Sequence, residues 1–276
     1  MSSLAEALKV HRDEIGRYLY VGYAIWDDLI ARAKREEAKP PGDCPDEQLW
    51  TFLVGCGYAI AAEVGVASLT ESLTGSRQAV PRNPKVWFEV LPVNTRRKEG
   101  EAHLDSALGT IAVREGTGAG IKLDDVESPW VCFCEMKWYA DIAVSVAYDV
   151  HRNQLARVIE SALCFQDCGR YADQVYVALV TPASFRAARL KSRLYQYKFE
   201  EYNANPASLM ADLEACILAK NEQVGWSYPP DLAQRVASLS LRWATYDELF
   251  ENLPHSAIAA ELKDFWSQHG RYQGRP

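Results

Sequence analysis

Apolar residues recur at helical intervals through the first part of the chain, then give way to short, dense runs. Within Leu4 through Lys39, the positions Ile15, Leu19, Tyr23, Ile25, Leu29 and Ile30 fall at broadly helical spacing, and Pro40-Pro41-Gly42 stops the pattern. A helix followed by a hard stop is predicted there. A second long helix is predicted from Asp46 to about Leu73, with Asp46 as N-cap and Gly75 near its end. From Pro84 the texture changes. Val86 to Val90, Leu104 to Val113 and Trp130 to Trp138 are β-branched or aromatic runs, parted by Asn94-Thr95-Arg96-Arg97-Lys98 and by the Gly-rich Glu115 to Gly120. Three consecutive strands are predicted, as a meander.

Asn153 to Phe165 returns to a helical period, with Leu155, Ile159, Ala162 and Leu163 on one side, and Gln174 to Val180 reads as a buried strand. Helices are predicted around Phe185 to Tyr202, Ser208 to Lys220 and Ile258 to His269, with a strand over Ser240 to Thr245. Helix, three strands, helix, strand implies an α/β fold, a mixed central sheet flanked by helices. With 276 residues and 48% apolar content the chain can bury a full core, and one elaborated domain over 1–276 is expected. Its parts would be a helical layer at 1–75, a core at 84–245 and a C-terminal helix within 246–276.

The apolar run Val131-Cys132-Phe133-Cys134-Glu135-Met136-Lys137-Trp138 carries the main chemical signal. In a strand Glu135 and Lys137 share a face about 7 Å apart. Unpaired charge at the end of a buried strand would cost several kcal/mol, so the pair asks for a metal, a substrate or another charge. The spacing alone is weak, because about one Glu-x-Lys is expected by chance in a chain of this length. Three occur, and Glu37/Lys39 and Glu261/Lys263 lie in helical patterns that read as solvated surface.

A net charge of −7 confines any nucleic-acid contact to a local patch without excluding one. Seven cysteines, mostly in apolar stretches, read as small buried hydrophobes in a reducing cytoplasm. The Cys132-x-Cys134 and Cys164-x₃-Cys168 spacings do not suit a cysteine metal centre. Glu6, Lys9 and Arg12 leave no room for a signal peptide core, and Glu63 interrupts the near-apolar Trp50 to Leu69, which argues against a membrane span.

The succession of elements, with Asp105 on the second strand, Glu135-Met136-Lys137 on the third and Asn153-Gln154-Leu155 opening the next helix, resembles the PD-(D/E)XK nuclease superfamily, the restriction-endonuclease-like fold. The resemblance covers roughly Pro84 to Thr245, and the N-terminal layer would supply the first core helix. It implies Mg²⁺-dependent hydrolysis of DNA phosphodiesters, with Mn²⁺ as a substitute, in a bacterial restriction, repair or phage-defence setting. Asp105 and Glu135 would hold the metal, and Lys137 would orient or activate water and stabilise transition-state charge. Leu104 stands where the motif has proline, and Asp124 or Asp125 is an alternative partner acid. The resemblance further implies Glu63 as an acid on the first core helix facing the metals, with a buried ion pair as the alternative, and Gln154 as a polar residue near the site. His103 shares a face with Asp105 and reads as structural.

Arg186, Arg189, Lys191 and Arg193 form a basic segment, extended by Lys198, whose arginines would fall on one helical face and meet DNA phosphates. Arg96-Arg97-Lys98 is a weaker candidate for the same role. A homodimer is compatible with all of this. The competing readings are a nuclease-like fold that only binds nucleic acid or protein, and a nuclease acting on RNA or branched DNA.

Overall fold

The computed structural model describes residues 3–138, 140–142, 149, 151–186 and 193–270. The first segment, predicted as one helix, is divided into α1 (Leu4–Val10), α2 (Arg12–Tyr18), strand β1 (Leu19–Val21) and α3 (Trp26–Glu37). Consecutive large or branched residues at Leu19-Tyr20-Val21 favour extended chain, and they pair in parallel with the next strand, which outweighs the helical spacing around them. The long helix over Asp46–Leu73 is likewise two, α4 (Glu47–Ala59) and α5 (Ala62–Thr74), broken at Ala61. The Asp46 carboxylate accepts from Leu49 N at 3.0 Å, and Gly75 closes α5 in the left-handed region at φ 77°. Gly65 lets α5 cross against α4, since a Cβ there would sit 1.9 Å from the Tyr58 carbonyl oxygen.

Next come β2 (Val86–Val90), β3 (Leu104–Gly109), β4 (Ile111–Val113), β5 (Ile121–Leu123) and β6 (Trp130–Met136). The predicted strand Leu104–Val113 splits at Gly109, which takes φ 121° because a Cβ would meet the Trp130 carbonyl at 2.3 Å. α6 (Gln154–Leu163), capped by Asn153, leads through the small hairpin β7 (Gln166–Asp167) and β8 (Arg170–Tyr171) to β9 (Gln174–Thr181). In place of one helix over Phe185–Tyr202 stand α7 (Ala183–Arg186) and α8 (Leu194–Ala204), and residues 187–192 lie outside the described set. Then follow α9 (Pro206–Ala215), α10 (Leu232–Ser238), β10 (Ser240–Thr245), α11 (Tyr246–Glu251) and α12 (Ala259–His269). Thr245 and Glu248 form a capping box that starts α11 directly from β10, a signal present in the sequence as Thr-x-x-Glu.

The fold is α/β. A mixed six-stranded sheet runs β1-β2-β3-β6-β9-β10, with β3 antiparallel to both neighbours and the β6-β9-β10 side parallel. Helices cover both faces. Strand alternation sends Cys132, Cys134 and Met136 into a core shared with the N- and C-terminal helices, and Val131 and Phe133 into a second core beneath α6, α8, α9 and α10. Among the described residues no helix is long and apolar enough to cross a membrane.

An aromatic cluster closes the first core where β6 ends. Trp50 stacks on Trp138 at 5.1 Å and meets Phe250, Phe265 and Trp266 at 5.7, 5.4 and 5.3 Å, joining α4 to α11 and α12. Its indole N–H donates to the Cys44 carbonyl at 2.9 Å, so nothing polar is left unsatisfied. Trp50→Ala is expected to cost about 3–5 kcal/mol. Urea unfolding of that variant measures it, and a loss under about 1 kcal/mol would mean the helices are held by something else.

Candidate functional site

Three neighbouring strands bring three carboxylates into one row. The pairs Phe88↔Ser106 and Val90↔Leu104 flank Glu89 and Asp105 on both sides, and the β3–β6 register, running from Gly109↔Val131 to Ser106↔Cys134, continues to Asp105 opposite Glu135. Asp105 Oδ2 accepts from Met136 N at 2.7 Å, which ties the acid of β3 to the end of β6. Glu89 sits at φ 52°, an uncommon conformation for a residue with a side chain, and Gln48 Nε2 donates to its Oε1 at 3.0 Å. Gly22 packs on this strand residue so closely that a Cβ would lie 2.1 Å from the Glu89 carbonyl oxygen.

Lys137 stays on the sheet one residue beyond β6, its N–H donating to the Val180 carbonyl at 2.8 Å. Its Nζ lies 2.8 Å from Glu135 Oε1 and donates to Glu47 Oε1 at 3.1 Å. Glu47 Oε2 accepts from Trp138 N at 2.7 Å. Glu47 is the residue of the candidate site that sequence reasoning missed. As the first residue of α4, directly after its Asp46 cap, it reads as ordinary first-turn acidity, and only the tertiary packing aims it at Lys137.

Glu63 does not take the role expected of it. It lies exposed in the first turn of α5, beside Trp130 at the opposite end of β6, roughly 17 Å along the strand from Glu135. The acid that the helical layer supplies to the site is Glu47, because the break at Ala61 redirects the second half of the predicted helix.

Burial dominates the electrostatics. It raises the Asp105 pKa, with the neighbouring Glu135 charge adding to the effect, and it raises Glu135 against the opposing pull of Lys137 and Arg157. For Lys137 burial favours the neutral form, but Glu135, Asp105 and Glu47 together outweigh it and hold the ammonium charged. Glu135 Oε1 is fully buried, with the Lys137 ammonium 2.8 Å away. In front of the row lies an open cleft of about 550 Å³, bordered by Glu36, Asp46, Glu47, Gln48, Glu89 and Asp105. It is lined by acids with no cation among them. Carboxylate oxygens of this kind suit a hard divalent ion. Among the described residues no three His, Cys, Asp or Glu side chains are gathered as a ready cage.

The other expected residues are scattered. Gln154 opens α6, half-buried behind its Asn153 cap, and Arg157 one turn later acts electrostatically on Glu135. Asp124 and Asp125 sit past β5 at the far end of β3, where Asp124 N bonds to Thr110 O and Asp125 pairs with Arg170, so Asp105 alone of the three acids adjoins Glu135. Arg186 forms a two-pronged pair with Glu248 at 2.5 and 2.9 Å, and Arg193 precedes α8 in extended conformation with its guanidinium over Phe185 at 4.7 Å. These two arginines therefore do not share one helical face; Arg189 and Lys191 lie outside the described residues. Arg96, expected as a weaker phosphate contact, is buried on Glu160 at 2.6 Å. All seven cysteines are free, and only Cys168 is exposed.

No protein-family model, curated protein or solved structure matches the chain.

A carboxyl whose pKa is raised by folding binds its proton more tightly in the folded state. Its contribution to stability is complete below the ordinary carboxylate range, about pH 4, and is lost as pH rises through the folded value. In chelator, the wild-type protein is expected to lose stability as pH rises from about 4 toward neutrality. Asp105→Asn is expected to flatten that slope and to match or exceed wild-type stability at pH 7. Thermal denaturation across pH checks this, and a parallel slope in the variant would mean that Asp105 does not carry the pH dependence.

Proposed function

We propose that this chain is a divalent-metal-dependent phosphodiesterase acting on DNA, built on the restriction-endonuclease-like PD-(D/E)XK plan. The observation that carries the reading is the pairing of Asp105 with Glu135 at the end of β6, with Lys137 beside them and an acid-lined cleft in front. The element succession β2, β3, β6, α6, β9, with β6 and β9 parallel, also supports it.

The donor set fits Mg²⁺ or Mn²⁺. Mg²⁺ needs only one or two protein carboxylates because it keeps waters and takes phosphate oxygens. Glu135 Oε1 is a buried acceptor 2.8 Å from the Lys137 ammonium, and a divalent ion would add to that charge in offsetting its desolvation. Asp105 and Glu135 would hold the ion, which when bound supplies Lewis-acid activation of water and phosphate. Lys137 holds a proton on its ammonium and stabilises negative charge that develops on the phosphoryl oxygens. Glu47 anchors that ammonium through a contact independent of Glu135, so the lysine would keep its place if Glu135 held a cation.

A second reading, a nuclease-like binding module without catalysis, is favoured by one observation: Lys137 is engaged by two carboxylates rather than one. Incubating plasmid, linear and single-stranded DNA and RNA with Mg²⁺, Mn²⁺ or EDTA separates the two, and absence of metal-dependent cleavage on every substrate would sink the nuclease reading. The RNA and single-stranded arms define the substrate form.

Lys137→Ala is expected to lower turnover by two or more orders of magnitude, roughly the 2.7–4 kcal/mol that one lost charge-stabilising donor costs. In chelator the same variant leaves Glu135 and Glu47 without their shared cation and is expected to be less stable by about 3–5 kcal/mol. Added Mg²⁺ should restore much of that stability by pairing the stranded carboxylates. Thermal melts with and without metal, beside cleavage rates, provide the check. A destabilised variant that Mg²⁺ does not rescue and that still cuts DNA at the wild-type rate would make Lys137 a plain structural ion-pair partner.

A further inference from the structure

A second cleft, of about 680 Å³, opens beside the acidic one and has a different character. Tyr23, Asn94, Glu101, Arg114, Asn221 and Gln223 line it. Its floor is built by tight backbone packing: Tyr23 N donates to Glu89 O at 2.9 Å, and Leu91 N donates to Ala119 O at 2.8 Å. The same end of β2 that presents Glu89 to the acidic cleft thus carries the wall of this one. His103 stands between the two, with Nδ1 3.8 Å from Glu89 Oε2, Nε2 3.3 Å from Glu101 Oε2 and its ring 4.3 Å from that of Tyr23.

Arg114 is the unexplained group. It is half-buried, and among the described residues its guanidinium has no carboxylate partner, whereas nearly every other arginine sunk to this depth is paired or stacked. Burial lowers its pKa with no opposing charge to offset the effect. Glu101, the acid in the lining, is turned to the Tyr23 hydroxyl at 3.1 Å and to His103. A desolvated guanidinium with five donors and no acceptor is suited to a planar or tetrahedral oxyanion. Asn94 Nδ2 donates to Gly100 O at 2.5 Å and Asn221 Nδ2 to Asn94 O at 2.8 Å, which leaves the side-chain oxygen of each amide without a donor among the described residues. Those acceptors suit the amino and imino N–H groups of a base edge, and the half-exposed Tyr23 ring offers a flat face.

We propose that this cleft seats one unpaired nucleotide of the substrate strand next to the acidic site, its phosphate on Arg114 and its base on Tyr23 within reach of the Asn94 and Asn221 oxygens. The assignment rests on the nuclease reading for the word substrate, but its chemistry does not. A concavity of this size holds a small-molecule-sized group and has no room for a duplex. The strand entering it is therefore single-stranded or splayed, with His103 marking the passage from the seated nucleotide to the carboxylate row.

The test is binding in EDTA of a deoxynucleoside 5′-monophosphate, the corresponding nucleoside and inorganic phosphate, followed by calorimetry or by chemical-shift titration. Wild-type protein should bind the monophosphate more tightly than either fragment. Arg114→Gln should weaken monophosphate and phosphate tenfold or more with an unchanged melting temperature, since no ion pair is lost. Tyr23→Ala should weaken the monophosphate severalfold and leave phosphate unaffected. Equal affinity for monophosphate and phosphate, with Tyr23→Ala silent, would mean a simple anion site and overturn the nucleotide assignment. Absence of binding, or binding indifferent to Arg114→Gln, would overturn it altogether. Cleavage by the wild-type protein keeps the two proposals apart: if it shows no metal-dependent cleavage but the monophosphate still binds through Arg114, the nuclease reading falls and the nucleotide cleft stands. If wild type cleaves but fails to bind the monophosphate, the cleft assignment alone falls.

Discussion

Lys137 places an ammonium, 8% exposed, between the carboxylates of Glu135 and Glu47. Charges taken this far out of water are stable only if their partners are held in place, because losing one leaves another buried and uncompensated. The fixtures that hold them can be read in order. The Lys137 N–H bond to Val180 extends the parallel β6–β9 ladder past its last strand residue, which fixes the lysine backbone. The Asp46 cap fixes the start of α4 and so the backbone of Glu47. The Trp50–Trp138 stack then clamps the residue after Lys137 against α4, and Trp138 N donates to Glu47 to close the loop. Sheet, helix cap and aromatic cluster meet at one ammonium.

A second buried ionic group keeps the opposite face in register with this one. Arg152 bonds Glu99 at 2.7 Å, Glu160 holds Arg96 at 2.6 Å, and Thr95 donates to Glu160 at 2.9 Å, all essentially inaccessible to water. Arg96 also donates to the Leu213 and Leu218 carbonyls, so the segment after β2 is locked to α6 and to the end of α9. The chain from Asn94 to His103, which carries Glu101 and leads to Asp105, is thereby anchored at its start by charge and at its end by β3. Removing one member of such a network is costly for the same reason as at Lys137: the remaining charges have no water to turn to.

Legibility of the sequence followed the range of the forces involved. Val86–Val90 and Ser240–Thr245 were readable to the residue, because a short buried strand advertises itself by composition alone. The Asp46, Gly75 and Asn153 boundaries were readable because capping is chemistry within three or four residues. The Glu135 and Lys137 pair was visible from the strand pattern, and Asp105 joined it only through the family resemblance, with Asp124 or Asp125 as alternatives. What escaped depended on distant neighbours. β1 exists because β2 is beside it, and the break at Ala61 reflects the tight crossing at Gly65. Glu47 and Glu63 are both acids in the first turn of an N-terminal helix, and nothing local says which one the fold aims at Lys137. The arginines after β9 looked like a face only while one continuous helix carried them.

The acid excess at the candidate site bears on how a polyanion could approach it. Glu36, Asp46, Glu47, Glu89 and Asp105 border the acidic cleft on a protein already carrying −7, so a bare phosphate backbone meets repulsion there. The Lys137 ammonium is buried behind the carboxylates and satisfied by two of them, which hides it from solvent. On the reading proposed above, neutralisation has to come from the divalent ions themselves, and metal then precedes or accompanies the strand. Arg114 lies outside the acid row, in the neighbouring cleft, where a phosphate can be met without crossing that field. On that reading the two clefts would divide the work by charge: the guanidinium, unpaired among the described residues, would offer a first hold on the strand, and the carboxylate row would admit the adjoining phosphodiester only with metal in place.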